Sequence, residues 1–156
     1  AYDGEGVNTG LHKLIENGTL KSFYHSLDTS AQCGHEPTGH GFRSSTSQPG
    51  PSLRCPRFEP GEDDLGEMMK EADVGVDELL GTFSSNPFAG VVTGNVSLGF
   101  VMKDGERDAR VKDAMLSVNV FELFKSAVLA LSKQTDRQGS WTMPYLLLDN
   151  VSIASK

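Results

Sequence analysis

The residues best suited to chemistry lie in one short segment, His35-Glu36-Pro37-Thr38-Gly39-His40. Two imidazoles that flank a carboxylate can form a zinc hydrolase site, in which the histidines bind the metal and the glutamate activates a water molecule. The usual His-Glu-x-x-His spacing works because residues i and i+4 share one face of a helix. Here the second histidine is at i+5, about 140° away on an ideal helix, and Pro37 and Gly39 disfavour a helix. The spacing therefore predicts a loop, with a metal site of His35, Glu36 and His40 as the weaker alternative.

Two cysteines, Cys33 and Cys55, flank this segment and could complete a Cys2His2 zinc set with His35 and His40. The ligand types suit zinc, but Cys33-x-His35 and the long gap to Cys55 match no common zinc spacing. Since no secretory signal is present, we predict two free thiols. The serines form no Gly-x-Ser-x-Gly elbow. Residue chemistry alone thus predicts no catalytic residues in this chain.

Charge and length narrow the classes of protein further. The 156 residues have a formal net charge of -7, with scattered Lys and Arg, which disfavours nucleic acid as a partner. No apolar run approaches the roughly 20 residues that cross a bilayer, so we predict no membrane partner and a cytoplasmic location. The length suits a single domain over 1–156. Because the chain begins at Ala1 in Asp/Gly-rich sequence, we expect it to be a piece of a longer protein.

The first half of the chain is predicted to contain one hairpin, one long loop and one helix. Asn17-Gly18 separates two apolar runs, 11–15 and 20–24, and is a strong hairpin signal. Segment 28–57 is rich in Gly, Ser, Pro and Thr and is predicted to be a loop. Apolar residues at helical spacing then predict a helix over 62–72.

The second half is predicted to be mostly strands. Asp104-Gly105 predicts a second hairpin turn. Asn119, followed three residues later by Glu122, predicts a capped helix over about 119–132. The chain as a whole is therefore predicted to be α+β, a predominantly antiparallel sheet with two helices. The predicted strands of this half are 76–82, 91–102, 107–115 and 145–153.

Two glycines, Gly94 and Gly99, interrupt the predicted strand 91–102. Glycine within a strand leaves room for another backbone to approach closely, as when a peptide adds to a sheet edge. Glycine also relieves bends and bulges inside a sheet. Peptide binding at Gly94 and Gly99 and a purely architectural role are both open at this point.

Six ordered segments, spread over essentially the whole chain, resemble the C-terminal part of the PmbA/TldD family. This family was once described as modulators of DNA gyrase and is now described as metallopeptidases. The order of the segments carries the resemblance, since each is unspecific alone. They are Asp3-Gly4-Glu5-Gly6-Val7 with Ile15-Glu16-Asn17-Gly18-Thr19-Leu20, Thr38-Gly39-His40, Glu59-Pro60-Gly61, Glu78-Leu79-Leu80-Gly81, Thr93-Gly94-Asn95-Val96-Ser97-Leu98-Gly99, and Pro144-Tyr145-Leu146-Leu147-Leu148-Asp149.

The resemblance implies which functional parts belong elsewhere. In TldD-type members a His-Glu-x-x-x-His helix upstream of this region binds the metal, together with a cysteine near the C-terminus. Here His35 to His40 aligns with the family's Ser-Thr-Gly-His loop, and Gln134 to Met143 contains no cysteine. The resemblance therefore implies a PmbA/TldE-like, non-catalytic partner without a cofactor in this segment, and zinc in the TldD-type subunit.

The expected partners follow from the same resemblance: a homo- or heterodimer with a PmbA/TldD-type subunit, and a peptide substrate. The gyrase connection implies no DNA binding. Two alternatives stay open, a self-contained zinc hydrolase that uses His35, Glu36 and His40, and a peptide-binding module without a role in proteolysis. The family does not account for the Ser/Pro-rich loop 41–57.

Overall fold

The computed structural model describes residues 1–82, 85–86 and 88–155. The chain divides into two compact units. The first consists of Ala1–Pro56 with Gly139–Trp141, and the second contains the other described residues from Arg57 onward. Strands outnumber helices and the sheets are mostly antiparallel, so the predicted α+β class is confirmed. The single domain predicted over 1–156 stays a prediction.

The predicted hairpin is present in the first unit. β1 (Ile15–Glu16) pairs with β2 (Thr19–Leu20) in an antiparallel ladder. Between them Asn17 and Gly18 have φ of 50° and 73°. Positive φ at both central residues is the geometry of the type I′ turn, whose twist matches that of the flanking strands. The Asn-Gly prediction is confirmed, although the ladder is shorter than the predicted strands.

The segment predicted as a loop, 28–57, contains a helix, so the prediction is wrong for its first part. α1 (Leu27–Cys33) begins after Ser26, whose Oγ accepts a hydrogen bond from the Thr29 amide at 3.3 Å. The Thr29 hydroxyl accepts one in return from the Ser26 amide at 3.0 Å. This capping box satisfies two backbone donors that the first turn leaves unpaired. The helix ends at Gly34, which has the left-handed φ of 69° that favours glycine.

Hydrogen bonds, rather than buried apolar side chains, organise the first unit. In its described residues the buried side chains are those of Ser26 and Ser30. The Ser30 hydroxyl donates to the carbonyl of His35 and so fixes the chain that follows α1. A second short ladder pairs β3 (Gly41–Phe42) with β4 (Gly50–Pro51). The loop-rich composition of this unit is therefore ordered by side-chain caps and short ladders.

The second unit contains a five-stranded sheet in which the longest strand is central. The strand that the sequence predicts over 91–102 pairs with one neighbour along one edge and with two shorter strands along the other. The predicted turn is present, since Asp104 and Gly105 have φ of 52° and 84°. The strands are β5 (Val74–Leu80), β6 (Val91–Lys103), β7 (Glu106–Arg110), β8 (Ala114–Asn119) and β11 (Ser152–Ser155), in the order β11-β8-β6-β5 with β7 also on β6.

Two predicted strands are each divided in the structure. The strand predicted over 107–115 becomes β7 and β8, because the chain turns at Asp113, whose φ is 50°. The strand predicted over 145–153 is divided at Asn150, whose φ is 56°. Asn and Asp tolerate the left-handed region better than other non-glycine residues. Each strand is therefore interrupted at a residue that can adopt a positive φ.

The helix predicted over 119–132 forms only at its beginning. The side-chain oxygen of Asn119, Oδ1, accepts hydrogen bonds from the amides of Phe121 and Glu122 at 3.0 and 3.3 Å. Asn119 is therefore the N-cap of this helix. The helical part then consists of α3 (Val120–Glu122) and a π-helical turn (Leu123–Ala127).

From Val128 onward the chain is a strand, so the predicted continuation of the helix is wrong. β9 (Val128–Gln138) forms a two-stranded sheet with β10 (Trp141–Leu148). Val128 and Leu131 fit a helical spacing, but Ser132 is fully buried, and its hydroxyl accepts a hydrogen bond from the Tyr145 amide at 2.8 Å. The apolar pattern of this segment fits both the 3.6-residue period of a helix and the two-residue period of a strand. Pairing with β10 makes it a strand.

The apolar core lies in the second unit. The predicted helix over 62–72 is confirmed as α2 (Leu65–Glu71), whose N-cap Asp64 accepts from the Gly66 amide at 2.9 Å. The buried apolar residues of the described chain are Met68 on α2, Val96 on β6, Ala114 on β8, Leu123 in the π-helical turn and Leu147 on β10.

The described chain contains no helix that is both long and apolar enough to cross a membrane.

Candidate functional site

All four histidines of the chain lie in the first unit, where they form two ring pairs. His25 and His35 stack with their ring centroids 5.3 Å apart. His12 meets His40 edge-on, with centroids 5.2 Å apart, and the Tyr24 ring lies 5.7 Å from that of His40. These separations are those of aromatic pairs in contact. The fold thus concentrates the imidazoles on one unit and arranges them two by two.

Thr38 joins the two histidine pairs. Its hydroxyl oxygen accepts a hydrogen bond from the His25 amide at 2.7 Å and lies 2.9 Å from Nδ1 of His40. That same Nδ1 is 2.8 Å from the Thr38 carbonyl oxygen, which can only accept. In the tautomer that carries its proton on Nδ1, His40 donates to this carbonyl oxygen, and Nε2 keeps the lone pair.

The pair formed by His12 and Ser22 does not activate a nucleophile. Nε2 of His12 lies 3.0 Å from the carbonyl oxygen of Phe23, so this nitrogen donates its proton there. The Ser22 hydroxyl is 3.1 Å from the same nitrogen and donates its own proton to the Lys13 carbonyl at 2.6 Å. A general base must accept the proton of the nucleophile, and here both protons are directed to backbone oxygens.

A cleft of about 440 Å³ opens beside the stacked pair. Thr38, Ser22 and His12 contribute to its wall. Phe23 is 64% exposed and Leu20 is 55% exposed, so the cleft carries two large apolar side chains in contact with solvent. The other lining residues are Lys21, His25, His35 and Glu36.

The residues predicted as alternative metal ligands are not brought together. His35 stacks on His25, whereas His40 is held by Thr38, and Glu36 is exposed. Among the residues that the structure describes, no group of three or more His, Cys, Asp or Glu is placed to bind a metal ion. The side chains present in this segment therefore do not fit a zinc site.

The two cysteines of the alternative Cys2His2 set are exposed free thiols. Cys33 is the last residue of α1, and Cys55 lies beyond β4. Neither belongs to a group of ligands within the described part of the chain.

Two residues of the histidine arrangement, His12 and His25, were not singled out by the sequence. Neither stands at a motif spacing from the others, because the ring contacts depend on how the hairpin and the segment after α1 fold. The available signal was the distribution of the histidines, since all four precede residue 41 in a chain of 156.

Gly94 and Gly99 lie in the middle of the five-stranded sheet and are buried. A Cβ at Gly94 would lie 3.2 Å from the Leu80 carbonyl oxygen, and one at Gly99 would lie 2.7 Å from Cγ1 of Val96. The neighbours that these glycines accommodate therefore include residues of this chain. Peptide binding at Gly94 and Gly99 stays a prediction.

Comparison with known proteins decides the family. The family model described as the PmbA/TldA metallopeptidase C-terminal domain matches residues 1–155. This chain belongs to the PmbA/TldD family. Its matched region extends over both units, so the PmbA/TldD resemblance seen in the ordered segments is confirmed over the described chain.

Individual relatives carry names from both branches of the PmbA/TldD family. The crystal structure of TldE from Thermococcus kodakarensis is similar with a TM-score of 0.86 and 31% identity, covering 99% of this chain and 36% of that chain. A metalloprotease from Methanothermobacter thermautotrophicus is 32% identical over 128 residues, which are 81% of this chain and 28% of the relative. A zinc metalloprotease TldD homologue from Saccharolobus solfataricus is 29% identical over 122 residues, 76% of this chain and 26% of the relative.

The chain thus spans between 26% and 36% of the length of these PmbA/TldD relatives. Residues outside the matched region contribute most of each relative.

Proposed function

We propose that this chain is the C-terminal domain of a TldE-like subunit, which does not cleave peptides itself. In this proposal it pairs with a TldD-type metallopeptidase subunit in peptide processing in the cytoplasm, either as a heterodimer or, with a like subunit, as a homodimer. The zinc ion belongs to the TldD-type subunit, whose metal would supply an activated water molecule for hydrolysis.

The observation that carries the non-catalytic assignment is the divergence of His35 and His40. Each ring has its own imidazole neighbour, His25 in one case and His12 in the other. Hydrolysis of a peptide needs an activated water or a nucleophile. The Ser22 hydroxyl gives its proton to a backbone carbonyl, so it is not arranged as a nucleophile.

Partner binding is supported by large apolar side chains at the surface. Leu11 is 91% exposed and Phe88 is 97% exposed, and further exposed apolar residues occur in both units. A large apolar side chain that is exposed in one chain gains free energy when a partner covers it. We therefore expect this chain to bury part of that surface against another PmbA/TldD-type polypeptide.

The test combines this 156-residue chain with a TldD-type subunit from the same genome that retains its His-Glu-x-x-x-His helix. Light scattering measures association, and cleavage of an unstructured peptide is followed with each protein alone and with both. We expect no cleavage by this chain alone, and a complex that cleaves faster than the TldD-type subunit alone. The double variant His35→Ala and His40→Ala, tested without the TldD-type subunit, should show the same lack of cleavage as the original chain.

Two results would contradict the proposal. Chelator-sensitive cleavage by this chain alone would favour the self-contained hydrolase. Absence of association, with unchanged cleavage by the TldD-type subunit, would favour a module outside proteolysis.

A further inference from the structure

The cleft of the first unit combines apolar surface with two opposite charges. Leu20 and Phe23 supply the exposed apolar side chains, and the stacked rings of His25 and His35 add aromatic surface. Removing apolar side chains from water is favourable, so a ligand that covers them gains binding free energy. This lining suits one large apolar or aromatic side chain of a ligand, which can pack on the ring faces.

The charged groups of the cleft are available to a ligand. Lys21 and Glu36 both line it. Within the described chain the ion pairs are formed by other residues, and neither of these two takes part in one. By contrast, the Thr38 and Ser22 hydroxyls are engaged with backbone groups. A ligand can therefore offer a negative group to Lys21 and a hydrogen-bond donor to Glu36.

One chemical group carries all three features side by side. The last residue of a peptide has a carboxylate, a backbone N–H that can donate to a carboxylate, and a side chain. We infer that this cleft binds the C-terminal residue of a peptide, with its carboxylate at Lys21, its N–H at Glu36 and a large apolar side chain against Leu20 and Phe23. The choice of a peptide rests on the proposed role in peptide processing, whereas the ligand chemistry rests on the cleft.

The inference is tested with N-acetyl-phenylalanine as the probe and this chain as the protein. Binding is followed by NMR through the ring signals of the histidines, each assigned with a His→Gln variant. We expect the signals of His25 and His35 to shift with millimolar affinity. N-acetyl-alanine should bind about tenfold more weakly because it covers less apolar surface. N-acetyl-phenylalaninamide, which lacks the charge, should bind about threefold more weakly.

Variants assign the contacts to individual side chains. Phe23→Ala should weaken binding of N-acetyl-phenylalanine about tenfold. Leu11→Ala, which removes an exposed apolar side chain outside the cleft lining, is the matched control and should leave binding unchanged. Lys21→Gln should remove the difference between the acid and the amide, whereas Lys112→Gln on the second unit should preserve it. Because the replaced side chains are exposed, the variants should remain folded, and their unfolding curves check this.

The inference is overturned if N-acetyl-phenylalanine leaves the His25 and His35 signals unchanged, or if the acid, the amide and the alanine probe bind equally. It is also overturned if Phe23→Ala and Leu11→Ala have the same effect. Failure of this inference can be distinguished from failure of the proposed function. A chain that binds the probe but does not associate with a TldD-type subunit would retain the cleft assignment and lose the proposed role.

Discussion

The Asp3 carboxylate accepts a 2.7 Å hydrogen bond from the backbone amide of Gly41, a residue 38 positions further along the chain. Its other oxygen accepts from the amides of Glu5 and Val7, both at 2.9 Å. Burial raises the pKa of Asp3, but the bonds from the Glu5, Val7 and Gly41 amides together outweigh it and hold the pKa below its ordinary value. One side chain thus ties the first loop to the strand that follows His40.

We expect Asp3→Asn to destabilise the first unit by about 1–2 kcal/mol, because an amide oxygen accepts more weakly than a carboxylate and its NH₂ group faces backbone donors. Since the folded-state pKa of Asp3 is lowered, the charged form stabilises the fold above the ordinary pKa of 3.8. That contribution is lost as the pH falls from there through the lower folded-state pKa. Urea unfolding at several pH values measures both effects.

The control for Asp3 is Asp108→Asn, which changes an exposed carboxylate on β7. It should leave the free energy of unfolding nearly unchanged. Protonation of Asp3 should lower the stability of the original chain, but not that of Asp3→Asn, as the pH falls below about 4. Equal losses of stability in the two proteins would show that the Asp3 carboxylate does not stabilise the first unit.

Local signals in the sequence predicted the parts of the fold that short-range geometry determines. The Asn17-Gly18 turn and the Asp104-Gly105 turn are present because both pairs adopt positive φ. The helix α1 was missed although Ser26 and Gly34 mark its ends, since its residues lie in a Ser/Gly-rich segment typical of loops. Its capping box uses Thr29 instead of the usual Glu or Gln at that position.

Long-range contacts account for what the sequence could not supply. The run after Ala127 fits a helix by its apolar spacing, but pairing with β10 makes it a strand. The histidine pairs depend in the same way on residues far apart, His12 with His40 and His25 with His35. No spacing rule connects such residues, so the cleft could be found only in the folded chain.

The role of Gly99 can be decided by substitution. A Cβ there would lie 2.7 Å from Cγ1 of Val96 and 3.1 Å from the Gly75 carbonyl oxygen. We therefore expect Gly99→Val to lower the free energy of unfolding by about 1–3 kcal/mol through overpacking. Gly94→Val should act similarly, because its Cβ would meet Leu79 and the Leu80 carbonyl oxygen, both at 3.2 Å.

Peptide affinity separates the two interpretations of these glycines. Affinity is measured for the assembly with the TldD-type subunit, at a temperature where Gly94→Val and Gly99→Val are still folded. Unchanged affinity with lower stability would identify both glycines as architectural. Loss of affinity without loss of stability would instead support a docking strand at β6.

The Asn119 side chain serves the start of α3 in two ways. Its oxygen accepts from the amides of Phe121 and Glu122, and its Nδ2 donates to the Ala89 carbonyl at 3.0 Å. We expect Asn119→Ala to cost about 1–2 kcal/mol of stability in chemical unfolding. Asn119→Asp keeps the acceptor and loses only the donor, so it should cost less. Equal losses in the two variants would place the stabilisation in the bond to Ala89.

Zinc binding by this chain would require His35 and His40 to converge on one metal ion. Neither His35 nor His40 has the other as a ring neighbour, and the Pro37 that separates them prevents the helical spacing which would align them. We therefore expect elemental analysis of the purified chain to find no stoichiometric zinc. Equimolar zinc should leave the melting temperature unchanged, because a ligand stabilises a protein only when it binds the folded state preferentially.

The double variant His35→Ala and His40→Ala makes this metal test specific. Surface histidines bind zinc weakly and unselectively, so a small amount of bound metal that persists in the variant does not indicate a site. About one zinc per chain that disappears in the variant would contradict the prediction and favour the self-contained hydrolase. Replacing His12 and His25 instead controls for loss of imidazoles in general. His35 and His40 would be identified as ligands only if zinc is lost in the His35→Ala and His40→Ala variant and kept when His12 and His25 are replaced. Structural zinc requires converging donors at fixed distances.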